Sequence, residues 1–168
     1  MIEQEIEQTV QHLAGALTAK RWFIAVAESC TGGWIAKCCT DRAGSSNWFD
    51  RGFVTYSNRA KIDMLRVDAA ALQLHGAVSE IVAVQMAQGA LDFAGVDASL
   101  AVTGVAGPDG GTGEKPVGSV WFAWAMRGRE VHRECVRFTG NRDSVRHQSV
   151  LHALRGMLQL VGGDGPGR

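Results

Sequence analysis

The run "AVAESCTGG" (residues 25–33) sets a hydroxyl and a thiol between an apolar stretch and two adjacent glycines. Ser29 has two readings there. It caps the helix that follows, as serines commonly do at helix N-termini. Alternatively, its hydroxyl projects from a tight strand-to-helix turn as a nucleophile, with amides of the helix start nearby to hold an oxyanion. The G-x-S-x-G signature is absent, so only the geometry is analogous. Thr31, Gly32 and Gly33 equally suit an anion-binding nest. Cys30 is the other nucleophile on offer, but Ser29 better matches the elbow position.

A serine nucleophile needs a base. None of the five histidines (His12, His75, His132, His147 and His152) directly follows a predicted parallel strand, which disfavours a Ser-His-Asp arrangement. Lys61 is the better candidate. With Ser57 or Asn58 as a helix cap, Lys61 lies near the positive end of the helix dipole and close to Arg59. Both disfavour the ammonium, and burial adds to them. Tyr56, the chain's single tyrosine, stands five residues earlier, where its hydroxyl can relay a proton or orient Lys61. A solvated lysine and a half-buried strand tyrosine are the plain alternatives.

Two further segments carry binding chemistry. The loop "TGVAGPDGGTGEKPVG" (103–118) looks like a phosphate cradle, but Gly113 is followed by Glu114 before Lys115 and then by a proline, so it is no Walker A loop. Its glycines still permit close approach of backbone to a ligand, and Thr103 at its entrance can donate a hydrogen bond. Arg142 and Arg146, four apart at the start of the last helix, can share a face and bind a phosphate with the help of the helix N-terminus; an exposed basic edge is the alternative. There is no H-E-x-x-H, no paired-cysteine knuckle and no EF-hand spacing, so no metal site is expected.

Positioning these residues falls to a regular alternation of elements. Helix-periodic patterns span 2–20, 31–41, 57–65, 69–76, 79–95 and 141–161. Short apolar runs at 22–27, 51–57 and 98–104 read as strands, and 119–126 with 131–138 reads as an antiparallel hairpin. Ser79 and Gly95 are the expected caps of the 79–95 helix. The pattern predicts an α/β fold: a three-layer α/β/α sandwich with a mixed, mostly parallel central sheet and a late antiparallel hairpin. Ligands in such folds sit beyond the carboxyl ends of the parallel strands, where the segments beginning at Ser29, Tyr56 and Thr103 all fall.

The 168 residues suffice for one domain, expected over 1–161 with a flexible tail at 162–168. Apolar residues make up 46% and charged residues 20%, which excludes a disordered chain. Lys plus Arg and Asp plus Glu both number 17, and that zero balance gives no sign of a nucleic-acid binder. No signal peptide and no membrane-spanning run is recognisable. Adjacent Cys38 and Cys39 make a poor disulfide framework, which points to reduced thiols and a cytoplasmic location.

Taken together, "AESCTGG", "AGSSNWFDRGFVTYSNRAK", "HGAVSE", "TGVAGPDGGTGEKPVG" and "GNRDSVR" resemble, in order and spacing, the CinA C-terminal domain family over about residues 4 to 160. The resemblance implies a stand-alone nicotinamide-nucleotide amidase that converts nicotinamide mononucleotide to nicotinate mononucleotide and ammonia, with no metal or other cofactor. It implies Ser29 as nucleophile, Lys61 as base and Tyr56 as the partner of Lys61. Cys30, Thr31, Gly32, Thr103, Gly104 and Gly107 would line the substrate site, with Arg142, or Arg146 one turn on, at the phosphate. A homodimer is expected by the same analogy. Two rivals stand beside this reading: a non-catalytic nucleotide-binding module linked to competence or DNA-damage responses, and a cysteine nicotinamidase using Cys30.

Overall fold

In the computed structural model, which describes residues 1–163, five strands form one sheet in the order β2-β1-β3-β4-β5. They are β1 (Ile24–Glu28), β2 (Phe49–Val54), β3 (Ala98–Gly104), β4 (Ser119–Met126) and β5 (His132–Arg137). β1 is parallel to both β2 and β3, while β4 is antiparallel to β3 and to β5. Four of the five strands therefore run the same way, and the predicted hairpin supplies the exception. The helices are α1 (Ile2–Lys20), α2 (Trp34–Thr40), α3 (Asn58–Leu65), α4 (Ala69–His75), α5 (Glu80–Ala94) and α6 (Arg142–Gly162).

The sheet has two unlike faces because its side chains alternate in size. Ile24, Val26, Leu100, Val102, Phe122 and Trp124 point to the layer of α1, α2 and α6. Ala25, Ala27, Ala101, Ala123 and Ala125 point to the other, where they meet Val82, Ala83, Met86, Ala87 and Ala90 of α5. Small residues on both sides let α5 lie close against the strands. Trp121 and Trp124 face opposite layers, as a strand requires. The chain passes from β1 through α2 to β2 on one flank, then through α3, α4 and α5 to β3 on the other. The topological switch point thus lies between the carboxyl ends of β1 and β3.

Several boundaries differ from the sequence pattern. α2 starts three residues later than its periodicity suggests, because Gly32 (φ 61°) and Gly33 (φ 99°) are left-handed and hold the chain out of the helix. Ser57 caps α3 by accepting from the Ala60 amide at 3.0 Å. Ser79 occupies the N-cap of α5, but its hydroxyl donates to the Gly76 carbonyl at 2.8 Å and caps no helix amide. α6 continues through Gly162 with Gly163 as its C-cap; the rest of the expected tail, 164–168, lies outside the described residues.

α3, which carries Lys61, is held against α5 at a glycine. A Cβ on Gly89 would fall 2.2 Å from the Leu65 backbone oxygen, a contact no side-chain rotation relieves. Replacing an interior helical glycine by alanine ordinarily gains about 1 kcal/mol in helix propensity. Overpacking at a rigid contact costs about 1–3 kcal/mol, so the clash is expected to win. Gly89→Ala should therefore lower the unfolding midpoint in urea. A midpoint at or above the wild-type value would show that α3 and α5 can separate freely.

Candidate active site

Ser29 continues the line of the central strand. Its amide donates to the Val102 carbonyl at 3.0 Å, while the Thr55 amide donates to the Glu28 carbonyl at 2.9 Å. Both ladders therefore run one step past β1, fixing the backbone on either side of the nucleophile candidate. Ser29 does not cap a helix: the N-cap of α2 is Gly33, four residues on. Its Oγ lies 2.9 Å from Lys61 Nζ.

Lys61 is 1% exposed. Its Nζ donates to Ser29 Oγ and to the backbone carbonyls of Thr55 at 2.8 Å and Tyr56 at 3.2 Å. Loss of hydration pushes its pKa down from 10.5 to about 8. Burial is thus the main cause of the shift. Arg59, invoked from the sequence, is turned to solvent and pairs with Asp63. When Lys61 gives up a proton, the Ser29 contact reverses and the amine can accept from the hydroxyl.

Tyr56 is brought to the site in a different role from the expected one. Its backbone carbonyl, not its hydroxyl, meets Lys61. The ring is 62% exposed, and its hydroxyl oxygen accepts from Arg142 at 3.2 Å. β2 ends at Val54, which leaves Tyr56 on the connection where its side chain leans outward. Arg142 also donates to the Gly107 carbonyl at 2.8 Å, joining the mouth of the site to the glycine loop. Arg146 sits elsewhere: it donates to the Cys30 carbonyl at 3.1 Å and the Thr31 carbonyl at 3.2 Å, with its guanidinium 5.1 Å from the Trp34 ring.

Thr103 lies at the end of β3 beside this arrangement, but its hydroxyl donates to the Ala77 carbonyl at 2.9 Å. It fastens the "HGAVSE" segment to β3. Gly104 owes its identity to β4, since a Cβ there would stand 2.7 Å from Val120 Cγ2. Gly107 has φ 84° and would crowd Val117 at 2.5 Å. Both glycines serve the packing of the loop. A groove of ≈ 540 Å³ lined by Glu3, Trp34, Lys37, Cys38 and His147, among others, includes none of Ser29, Lys61, Tyr56 or Thr103.

Glu28 is the residue that pattern reading missed. It is fully buried at the end of β1, and its carboxylate accepts from the Ile35 and Ala36 amides at 2.9 and 3.0 Å. It therefore caps α2 from a distance and takes the first-turn amides expected to face an oxyanion. The signal was present as a single carboxylate closing an apolar run. Among the described residues, the amides of Thr31 and Gly33 make no hydrogen bond, so the free donors lie in the turn and not in the helix. Two fully buried hydroxyls, Thr31 Oγ1 and Thr55 Oγ1, also have no partner among the described residues. The Cys30 thiol is buried, and its pKa is pushed up to about 12, chiefly by desolvation, which removes the thiolate a cysteine nucleophile needs. Among the described residues no group of three His, Cys, Asp or Glu side chains could hold a metal ion, and no helix is long and apolar enough to cross a membrane.

The fold is that of an α/β protein whose central strand delivers a buried serine onto a buried lysine at a sheet switch point. The particular family is settled by comparison: the chain belongs to the CinA C-terminal domain family, whose model matches residues 6–161. It is 52% identical over 161 residues to the nicotinamide-nucleotide amidohydrolase PncC of Escherichia coli K12, covering 95% of this chain and 96% of that one. Among solved structures, the competence/damage inducible protein CihA of Agrobacterium tumefaciens superposes with a TM-score of 0.91 at 43% identity, covering 94% of this chain and 96% of that one. A CinA superfamily protein from Klebsiella pneumoniae gives 0.90 at 38% identity, covering 94% and 98%.

Two outcomes follow from this geometry. In the unfolded chain Lys61 keeps its proton to about pH 10.4; in the fold it releases it near 8. Between those values the unfolded state binds more protons, so stability rises with pH. Relative to Lys61→Met, the wild type should gain of order 3 kcal/mol between pH 7 and pH 10.5, read by urea unfolding; a constant difference would mean an ordinary lysine. In Glu28→Gln one amide would meet an NH₂ donor, and leaving that buried N–H unmatched should cost about 1–3 kcal/mol in the same assay.

Proposed function

We propose that this chain is a nicotinamide-nucleotide amidohydrolase that releases ammonia from nicotinamide mononucleotide through a serine acyl-enzyme. The observation that carries the reading is the 2.9 Å contact between Ser29 Oγ and the buried amine of Lys61. Near-complete sequence coverage by a relative named for that activity supports it. Desolvation that lowers the lysine pKa beside a serine hydroxyl suits a group that exchanges a proton with it, and so favours the enzyme over a binding module.

Neutral Lys61 takes the Ser29 proton as Oγ attacks the carboxamide carbon. The tetrahedral oxyanion is held by unpaired amides of the Cys30–Gly33 turn, where removing a single donor typically costs about 2.7–4 kcal/mol. The cationic pyridinium withdraws electrons and raises the electrophilicity of the carbonyl. As the C–N bond breaks, the Lys61 ammonium returns the proton to the leaving nitrogen, and ammonia departs. Water, deprotonated by Lys61, then attacks the acyl carbon, and Ser29 recovers its proton as nicotinate mononucleotide leaves. Arg142, tied to Tyr56 and Gly107 at the mouth, is assigned to the substrate phosphate, whose binding aligns the distant amide. A cytoplasmic homodimer without a cofactor belongs to the same proposal.

The test is ammonia release from nicotinamide mononucleotide in the presence of a chelator. The wild type should turn over and Ser29→Ala should not. The wild-type kcat/KM should rise with pH through about 8, because the active form is the one in which Lys61 has lost its proton. No release by folded wild type contradicts this substrate; a profile flat from pH 6 to 9.5 contradicts Lys61 as the base.

A further inference from the structure

The two arginines of α6 face different tasks. Arg142 stands at the mouth, where it meets the Tyr56 hydroxyl and the Gly107 carbonyl. Arg146, one turn on, reaches under the nucleophile's turn and donates to two consecutive carbonyls, Cys30 at 3.1 Å and Thr31 at 3.2 Å. Its guanidinium plane is backed by Trp34, the first residue of α2, and the His147 ring packs at 4.1 Å from the same tryptophan. A Cβ on Gly32 would stand 3.5 Å from Arg146 Nη2, in ordinary contact, so the guanidinium lies directly against the turn.

We propose that Arg146 is a positioning residue for the oxyanion-holding turn and not a contact to the substrate phosphate. This rests on the amidohydrolase reading above. A peptide unit's N–H and C=O point in opposite directions, so an arginine that fixes two carbonyls also fixes the amides on the far side of those peptide planes. The Cys30 carbonyl shares its peptide with the Thr31 amide, one of the donors left without a partner among the described residues. The Thr31 carbonyl shares its peptide with the Gly32 amide, which donates back to the Ser29 carbonyl at 3.0 Å and closes the turn. Arg146 thus holds one peptide that can bind the oxyanion and one that sets the curvature. A lysine in its place supplies a point charge without the two-pronged geometry. The donors of Arg146 that are turned to Cys30 and Thr31 are not turned to a phosphate.

Phosphate dependence separates the two roles. The wild type, Arg146→Gln and Arg146→Lys are compared on nicotinamide mononucleotide and on its dephosphorylated riboside. In parallel, the rate at which a small fluorophosphonate labels Ser29 is read by mass spectrometry, with Ser29→Ala as the unlabelled control. The expected result for Arg146→Gln is a kcat lowered about 100-fold on both compounds, as for loss of an oxyanion donor. KM should change little, labelling should slow to a similar extent, and Arg146→Lys should recover only part of each loss. A defect confined to the phosphorylated compound, with labelling at the wild-type rate, overturns the proposal and makes Arg146 a phosphate ligand. Wild-type rates in Arg146→Gln overturn it equally. Should Arg146→Gln unfold below the assay temperature, Arg146→Lys carries the same comparison, and unaltered labelling in it counts against the proposal. Wild type that labels at Ser29 but hydrolyses neither compound defeats the substrate assignment alone, since the labelling rates still decide the role of Arg146. Wild type that neither labels nor hydrolyses defeats both.

Discussion

Taking a lysine amine out of water removes the hydration that favours its charged form, and the contact between Ser29 and Lys61 depends on that step. Lys61 is enclosed by the carbonyls of Thr55 and Tyr56 and by the hydroxyl of Ser29, and among the described residues no carboxylate pairs with it to restore the ammonium. Two carbonyls accept what protons remain, so the amine is oriented in either state. Of these three partners, the hydroxyl is the one that can also donate to it. Once burial has lowered the pKa to about 8, a neutral amine is substantially populated near physiological pH, and its lone pair has a single partner to face.

Holding that contact requires three elements to agree. β1 ends at Glu28, which accepts from the Thr55 amide just past β2, while the next residue, Ser29, donates to Val102 of β3. α3 brings Lys61 from the far flank of β2, and its distance from the sheet is set by α5, which approaches through Gly89 and a face of alanines. On the opposite layer, α6 reaches over with Arg142 and Arg146, while Glu28 ties the start of α2 to the end of β1. The coarse layer of large residues carries α1 and α6, and the fine layer of small ones sets the position of Lys61.

Much of this was legible in the residues themselves. The strand-turn-helix passage at Ser29, the capped helix carrying Lys61 and the hairpin after the glycine loop all follow from local pattern, because each depends on neighbours within a few positions. What escaped depends on the third dimension. Tyr56 precedes Lys61 by five residues, which suggested a hydroxyl contact. Only the course of the chain after β2 shows that the carbonyl faces inward and the ring outward. Thr103 stands at the right strand end, yet its hydroxyl is taken by Ala77, twenty-six residues away in sequence. Glu28 drew no notice because a carboxylate at a strand end is ordinarily solvated; its burial comes from the α2 amides lying over it. Arg142 and Arg146 look equivalent as a pair four apart, and their partners, more than thirty residues distant, tell them apart.

The measurement that bears most directly on the account is the proton occupancy of Lys61 itself, followed by NMR of lysine side-chain ¹³Cε–¹Hε resonances across pH 6 to 12, with Lys61 assigned by its absence in Lys61→Met. The account predicts a titration near 8, well below the ordinary lysine value of about 10.4. A Lys61 resonance that titrates at the ordinary lysine value of about 10.4 would leave Ser29 without a base and contradict the mechanism.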